Sequence, residues 1–298
     1  MPSEALPRTD KAWLGIGTAK FGFCKTWLFC EAEWEINKYP QETPLLDNRQ
    51  IRYSRHIALS RFGPEGQRRL SASRVLIVGV GGLGSPVAIY LAASGVGHLV
   101  LSDFDCVELS NLQRQVAHGT QDVGRLKVES ARDRLISLNP EIRVTPLARA
   151  LDEEELLSEV SKAHVVVDAT DNFESRFELN AACFRTGTPL VSGAVIRMEG
   201  QVTVFDPRSE QSPCYRCLYS DDIGEGETCS QVGVLSPLLG IIGSIQATET
   251  IKILADVGNN LTGRVLLLDA FGMELRTLTL RKDPQCPVCG ESAAPSEK

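Results

Sequence analysis

The chain has 298 residues, of which 43% are hydrophobic and 23% charged, and its formal net charge is −7. This length and hydrophobic content suffice for one large α/β domain or for two smaller ones. An acidic chain has no general electrostatic attraction for nucleic acid or for an anionic membrane, so we expect neither as its main partner.

Residues 1–48 differ from the rest of the chain. They contain all three tryptophans, and they show neither clean hydrophobic periodicity nor clean helix capping. Charged residues such as Glu4 and Arg8 precede any apolar run, so we expect no signal peptide and a cytoplasmic location. We treat this segment as an N-terminal extension of unknown role.

Regular alternation of helices and strands begins after this extension. Helices are predicted over 51–60, 64–72, 85–94, 122–138, 152–162 and 172–186, and strands over 74–78, 98–103, 142–146 and 164–169. The strands are short and rich in β-branched residues, which is typical of buried parallel strands. The alternation therefore predicts a parallel sheet with helices on both faces.

The second half of the chain has closely spaced strands and one long apolar helix. Strands are predicted over 189–194, 200–205, 263–270 and 273–281, the last two as a hairpin, and a helix over 236–255. Pro237, Gly240 and Gly243 interrupt this apolar helix, so we expect a buried core helix rather than a membrane span. The expected fold class is therefore α/β, with a Rossmann-like mixed sheet that is parallel in its first half and antiparallel in its second.

A glycine-rich turn, GVGGLG, follows the first strand and precedes a helix. Its glycines, Gly79, Gly81, Gly82 and Gly84, would let the backbone approach a nucleotide, and the helix N-terminus offers N–H groups to anionic oxygens. Asp103 ends the next strand, near the offset at which an acid binds ribose hydroxyls. Nucleotide binding is favoured over a purely structural turn, and the lack of a lysine after Gly84 excludes a Walker loop.

Polar residues that could complete a phosphate site follow the next strands. Asn111 and Arg114 come after Asp103, Lys127 opens a predicted helix, and Asp171 follows a predicted strand. Ligands collect at the carboxyl edge of such sheets, where an aspartate can hold Mg²⁺ against phosphate oxygens. Taken singly, the cations could be surface charges and Asp171 a helix cap. Together with the glycine turn they predict a polyphosphate site.

Two C-x-x-C pairs, Cys214/Cys217 and Cys286/Cys289, have the spacing of metal-binding knuckles. A single pair would be ambiguous with redox chemistry. Two pairs in an acidic, cytoplasmic chain favour one tetrahedral, structural Zn²⁺ site over coincidence or disulfides. We expect this site to pin the C-terminal end of the chain to the middle of the domain.

These residues lie in stretches that resemble the MoeB/ThiF family, bacterial relatives of ubiquitin-activating enzymes. The matching stretches are RYSRHIAL, RVLIVGVGGLGS, LSDFDCVELSNLQRQ, VGRLKVESA, DATDNFESR, PLVSGAVIRMEGQVTVF, CYRCL and CPVCG. The resemblance covers residues 49–290 as one adenylating domain with its zinc knuckles, which leaves 291–298 as a C-terminal tail. The stretch SGAVIRMEGQVTVF resembles MoeB more than ThiF.

The resemblance implies a homodimeric enzyme that binds ATP and Mg²⁺. Gly82 would lie beside the ATP, Asp103 would bind its ribose, and Asp171 would hold the Mg²⁺. Arg55 would reach into the ATP site of the neighbouring subunit. The residues that would contact the phosphates are Asn111, Arg114 and Lys127, with Asp105 close to them.

The resemblance also implies the reaction: adenylation of the C-terminal glycine carboxylate of a ubiquitin-like sulfur carrier ending in Gly-Gly, with release of pyrophosphate, ahead of thiocarboxylate formation. A MoaD-like carrier of molybdopterin synthesis is favoured, a ThiS-like carrier of thiamine thiazole synthesis is the alternative, and carriers for tRNA modification or cysteine formation stay open. Because no rhodanese-like domain follows Cys289, we expect a separate sulfurtransferase or cysteine desulfurase to deliver sulfur.

The chemistry of adenylation suits this set of residues. A carboxylate is already ionised at neutral pH, so its attack on the α-phosphorus needs no general base. The barrier is largely the approach of two anions, which arginine, lysine and Mg²⁺ lower. We therefore assign no catalytic role to the four scattered histidines: His56, His98, His118 and His164.

Cys229 lies in a glycine- and acid-rich segment that we expect to be a loop over the carrier tail. Some members of the family use a cysteine here for a covalent link to the carrier, and others do not, so both roles stay open. We expect Cys106 and Cys183 to be core thiols.

Two other classes of function compete with adenylation. A nicotinamide-dependent oxidoreductase would share the glycine turn and Asp103, but it would leave Arg114, Lys127, Asp171 and the zinc knuckles unexplained. A non-catalytic scaffold would have no need of the cations and the acid.

Overall fold

The computed structural model describes residues 48–219 and 232–290. Within them, eight strands form one sheet: β1 (Arg74–Val78), β2 (His98–Ser102), β3 (Arg143–Leu147), β4 (Val165–Asp168), β5 (Leu190–Ile196), β6 (Glu199–Phe205), β7 (Arg264–Asp269) and β8 (Glu274–Thr279). The helices are α1 (Asn48–Arg52), α2 (Ser54–Ile57), α3 (Gly63–Ala72), α4 (Gly84–Ala93), α5 (Lys127–Leu138), α6 (Glu153–Ser161), α7 (Phe173–Thr186), α8 (Tyr215–Leu218) and α9 (Ser236–Ala255). Short 3₁₀ turns lie at Leu109–Asn111 and Thr120–Asp122.

The sheet is parallel at one end and antiparallel at the other. Its strand order is β3-β2-β1-β4-β5-β6-β7-β8. Strands β3, β2, β1, β4 and β5 pair in parallel, and β5, β6, β7 and β8 pair antiparallel. This arrangement confirms the predicted mixed sheet.

Both faces of the central strands are covered by helices. In β1, Val75 and Ile77 face one hydrophobic cluster and Leu76 faces the other, because successive side chains of a strand point to opposite faces. The first cluster includes apolar residues of α4, α5 and α9, and the second includes residues of α6 and α7. The near-continuous apolar character of β1 therefore follows from burial on both sides.

The predicted helix over 236–255 is α9, and its bounds are confirmed. In the described part of the chain, α9 alone is long and apolar enough to cross a membrane, a test that buried core helices also pass. It packs against the sheet and against α4, with Leu238 and Ile242 in the first cluster. Two of its buried polar side chains bind main chain: Gln246 Nε2 donates to the Asp168 carbonyl at 2.7 Å, and Glu249 Oε2 accepts from Leu261 N at 2.7 Å. Packing in the core therefore accounts for its apolar sequence.

Three local predictions were wrong. The helix predicted from residue 122 begins only at Lys127, because Gly124 has a φ of +88°, a left-handed conformation that ends the preceding 3₁₀ turn. The helix predicted over 51–60 is split into α1 and α2 at Tyr53. Cys183 is buried as expected, but Cys106 is exposed and is not a core thiol.

Candidate functional site

The glycine turn is shaped by close backbone packing at the end of β1. Gly79 has a φ of +89°, and a side chain there would lie 2.6 Å from the carbonyl oxygen of Ala169. At Gly84, the first residue of α4, a Cβ atom would lie 1.9 Å from the carbonyl oxygen of Gly79. Only glycine fits at these two positions without a backbone shift.

A cavity of about 750 Å³ opens beside this turn, at the carboxyl ends of the parallel strands. It brings together residues that are far apart in sequence but were predicted to share a site: Gly79, Gly81, Gly82, Asp103, Asp105, Arg114, Lys127 and Asp171. Ligands of open α/β sheets bind at this edge, so the cavity is the candidate functional site.

Asp103 joins the glycine turn to the loop that follows β2. Its Oδ2 accepts a hydrogen bond from Val80 N at 2.7 Å, and its Oδ1 accepts one from Asp105 N at 2.9 Å. A carboxylate has about four lone-pair sites, so capacity remains for a hydroxyl donor in the cavity.

Two cationic side chains approach the cavity from different elements. Lys127, at the start of α5, donates from Nζ to Asp105 Oδ2 at 2.7 Å. Arg114 donates from Nη2 to Asn111 Oδ1 at 3.2 Å and from Nη1 to Ser110 O at 3.1 Å. Asn111 does not itself line the cavity, and it orients the guanidinium that does.

Asp171 and Arg55 are both exposed, but only Asp171 lines the cavity. The Asp171 side chain is exposed and lines the cavity, three residues after β4 ends. Arg55 is exposed on α2 and is absent from the cavity lining of its own chain. A role for Arg55 in the site of a neighbouring subunit stays a prediction. Cys229 lies outside the described residues.

A buried ion pair between two residues that flank Asp171 in the chain was not predicted from the sequence. Arg176 Nε lies 3.8 Å from Asp168 Oδ2, and the two side chains are only 8% and 1% exposed. Burial acts against the charged form of Arg176, but the Asp168 carboxylate and Tyr215 outweigh it and raise the pKa of the guanidinium. Both residues lie within DATDNFESR. Asp168 is a charged residue at the end of an apolar strand, and this feature of the sequence could have indicated a buried charge that needs a partner.

The buried side chain of His118 contacts the main chain of the glycine turn. Its Nε2 lies 3.1 Å from the Val80 carbonyl oxygen and its Nδ1 lies 2.9 Å from Ser130 Oγ. Because a carbonyl oxygen only accepts, Nε2 carries a proton in this arrangement. Burial lowers the pKa of His118, because desolvation disfavours the charged imidazolium ring.

The four cysteines of the two knuckles form one cluster. Their sulfur atoms all lie within 4.8 Å of one another, with Cys214 and Cys286 at 3.5 Å and Cys217 and Cys289 at 3.3 Å. Four thiolates at about 2.3 Å from a tetrahedral Zn²⁺ would be about 3.8 Å apart, so the cluster fits this ion, whereas the separations are too long for disulfides.

The knuckle also touches the cavity wall through an aromatic residue. Tyr215 follows Cys214, is 1% exposed and lines the cavity. Its ring packs edge-on against Phe177 at a centroid distance of 5.5 Å, and its hydroxyl lies 3.4 Å from Arg176 Nη1. The cysteine cluster and the buried ion pair are therefore structurally connected.

Comparisons with known proteins identify a family and several relatives of this chain. A sequence model of the ThiF family matches residues 53–288. The chain is 50% identical to the molybdopterin-synthase adenylyltransferase of Escherichia coli over 248 residues, which cover 83% of the chain and 99% of that protein. It is 45% identical to the E. coli sulfur carrier protein ThiS adenylyltransferase over 244 residues, which cover 82% of the chain and 96% of that protein.

A solved structure shares the fold. The crystal structure of E. coli MccB with ATP superimposes with a TM-score of 0.71 at 26% identity, covering 80% of the chain and 73% of MccB. This likeness shows that the chain and MccB share one fold.

Proposed function

Because the chain belongs to the ThiF family, we propose that it is a nucleotidyltransferase that uses ATP to adenylate the C-terminal glycine carboxylate of a ubiquitin-like sulfur carrier. Pyrophosphate leaves, and the acyl-adenylate is then ready for thiocarboxylate formation. The greater identity to the molybdopterin-synthase enzyme favours a MoaD-like carrier, and the ThiS-like carrier is the second candidate.

One observation carries the proposal: a single cavity holds the glycine turn together with Arg114, Lys127 and Asp171. A carboxylate nucleophile and a triphosphate repel each other, so the site must neutralise charge rather than remove a proton. A nicotinamide cofactor gives no reason for two cations and an acid at this edge. The clustering therefore favours adenylation over hydride transfer.

The residues suit the parts of an ATP molecule. The open turn at Gly81 and Gly82 lets main chain approach the nucleotide, and Asp103 retains acceptor capacity for ribose hydroxyls. Arg114, oriented by Asn111, and Lys127, oriented by Asp105, supply positive charge to the phosphates.

The exposed carboxylate of Asp171 fits Mg²⁺, which proteins hold with one or two carboxylates together with substrate phosphates. When bound, Mg²⁺ supplies charge neutralisation and orients the pyrophosphate leaving group. The chain itself contributes the fixed position of Asp171 between β4 and α7. The four cysteines would hold a structural Zn²⁺ through the thiolates of Cys214, just before α8, of Cys217 within α8, and of Cys286 and Cys289 after β8.

Three further parts of the proposal concern partners and location. The enzyme acts as a homodimer in which Arg55 reaches the ATP site of the other subunit. A separate sulfurtransferase or cysteine desulfurase supplies sulfur in the cytoplasm. Cys229 either forms a covalent link to the carrier or has no role, and Cys229→Ala decides: loss of sulfur transfer with intact adenylation supports the link.

The direct test offers purified MoaD-like and ThiS-like carriers to the enzyme with ATP and Mg²⁺. We expect carrier-dependent ATP–pyrophosphate exchange, and mass spectrometry should detect the acyl-adenylate on the preferred carrier. A carrier lacking its last glycine is the matched control and should give no exchange. Absence of exchange with every carrier, accompanied by binding of NADH, would refute the proposal.

A further inference from the structure

The position of Asp171 depends on main chain rather than on contacts of its own side chain. Among residues 48–219 and 232–290, neither a hydrogen bond nor an ion pair joins the exposed Asp171 carboxylate to another residue. It lies on the short connection between Asp168, which ends β4, and Phe173, which begins α7. Whatever fixes this connection also fixes Asp171.

The buried ion pair holds the preceding residue, Thr170, through both its main-chain N–H group and its main-chain carbonyl group. Asp168 Oδ1 accepts from Thr170 N at 3.0 Å and from Thr170 Oγ1 at 2.7 Å. Arg176 Nη2 donates to the Thr170 carbonyl at 2.6 Å and to the Gly193 carbonyl at 3.1 Å. Arg176 therefore ties the connection that carries Asp171 to strand β5.

A buried ion pair is a poor way to gain stability, because desolvation of the two charges offsets their attraction. The distribution of contacts here points to a different use. The guanidinium donates to two main-chain carbonyls and reaches Tyr215, while its Nε has no partner within hydrogen-bond distance in the described residues. These contacts hold two main-chain segments, at Thr170 and at Gly193, in a fixed relative position.

We propose that Arg176 is a positioning residue, which fixes the peptide of Thr170 and so holds the Asp171 carboxylate where a divalent cation and a phosphate meet. This inference rests on the proposed function, since it assigns Asp171 to metal binding. Arg176 acts through the backbone and not by contact with the reacting atoms. Groups that orient a metal ligand typically contribute about 10–100-fold to metal affinity.

The test measures Mn²⁺ binding by electron spin resonance in the presence of a non-hydrolysable ATP analogue. Arg176→Lys keeps the charge but lacks the planar fork that reaches two carbonyls, and Arg176→Met removes every donor. We expect Arg176→Lys to weaken Mn²⁺ binding about tenfold, with nucleotide binding in EDTA unchanged. Arg185→Met is the matched control, because Arg185 lies on the same helix in an exposed ion pair with Glu153.

Each outcome has a distinct meaning. Weaker Mn²⁺ binding in Arg176→Lys with wild-type binding in Arg185→Met supports the inference. Wild-type Mn²⁺ affinity in a folded Arg176→Lys, even with a lower melting temperature, overturns it and leaves Arg176 as a structural residue. If Arg176→Met fails to fold, Arg176→Lys decides. A wild-type protein that binds Mn²⁺ and nucleotide but gives no carrier-dependent exchange refutes the proposed function separately.

Discussion

The ammonium group of Lys127 lies 2.7 Å from a carboxylate oxygen of Asp105, and the two side chains differ in exposure, at 8% and 53%. The main-chain N–H of Lys127 also donates to the Asp105 carbonyl at 2.9 Å. The lysine is thus anchored in the wall of the cavity, while its acidic partner faces solvent. A phosphate in the cavity would meet a cation that is already oriented.

Removal of this cation should affect the reaction far more than the fold. We expect Lys127→Ala to lower the rate of pyrophosphate exchange by about 100-fold, because a preorganised charge at the phosphates is lost. Lys162→Ala is the matched control, since Lys162 forms a more exposed ion pair with Glu159. Equal exchange rates for the two variants would remove Lys127 from the site.

The role of Asp171 is tested by Asp171→Ala. The side chain is exposed, so we expect little change in melting temperature and a loss of about 100-fold or more in carrier-dependent pyrophosphate release. Glu174→Ala, an exposed acid in the first turn of α7, should retain activity. Unchanged release by Asp171→Ala would show that the metal assignment is wrong.

His118 should make stability sensitive to acid. Its pKa in the folded protein is lowered by burial, whereas the unfolded chain takes up the proton near pH 6.5. The unfolded state therefore binds more protons below about pH 6.5, and the free energy of unfolding falls as pH falls. Melting temperatures at about pH 7.5 and about pH 5.5 should diverge less in His118→Gln than in wild type. Parallel pH profiles would contradict this assignment.

The cysteine cluster predicts a specific metal content. Purified protein should hold one zinc per chain, and Cys286→Ser should abolish it and lower the melting temperature, because metal binding is linked to folding. Cys106→Ser, which changes an exposed cysteine outside the cluster, should keep the zinc. Elemental analysis of both variants is the measurement, and full zinc content in Cys286→Ser would refute the site.

Two glycine substitutions should act in opposite directions. Gly84→Ala places a Cβ 1.9 Å from a backbone oxygen, and we expect it to lower the free energy of unfolding by about 1–3 kcal/mol or more. Gly240→Ala, within α9, meets no described atom within 4 Å and should raise that free energy by about 0.5–1 kcal/mol. Denaturant unfolding of both variants provides the comparison, and a neutral Gly84→Ala would contradict the packing described.

Local sequence patterns predicted most of the sheet because burial acts on each strand separately. Strand β1 was predicted to the residue, since an apolar β-branched run lies between a serine and the glycine turn. The start of α5 was missed because the left-handed conformation of Gly124 could not be deduced from helix periodicity. Cys106 was misassigned because residue type alone does not determine exposure.

The cavity was predictable only in part. Spacing and motif placed Asp103, Arg114 and Lys127 near the glycine turn, since the carboxyl ends of parallel strands share one edge. The pairing of Asp168 with Arg176 was not predicted, because it depends on β5 and α7 meeting above the end of β4. Burial of opposite charges is a tertiary property, and a single sequence does not reveal it.

The cysteines that meet in the cluster are 72 positions apart, and the chain between them includes α9, β7 and β8. An ion bound there would close this stretch into a ring and restrict the conformations open to the denatured chain. The entropic gain grows only slowly with ring size, so most of it comes from having a cross-link at all. A bound ion would therefore tie the two last strands of the sheet, β7 and β8, to the segment at α8 that precedes them by more than forty residues in the chain, so their detachment would require the cross-link to stretch or break.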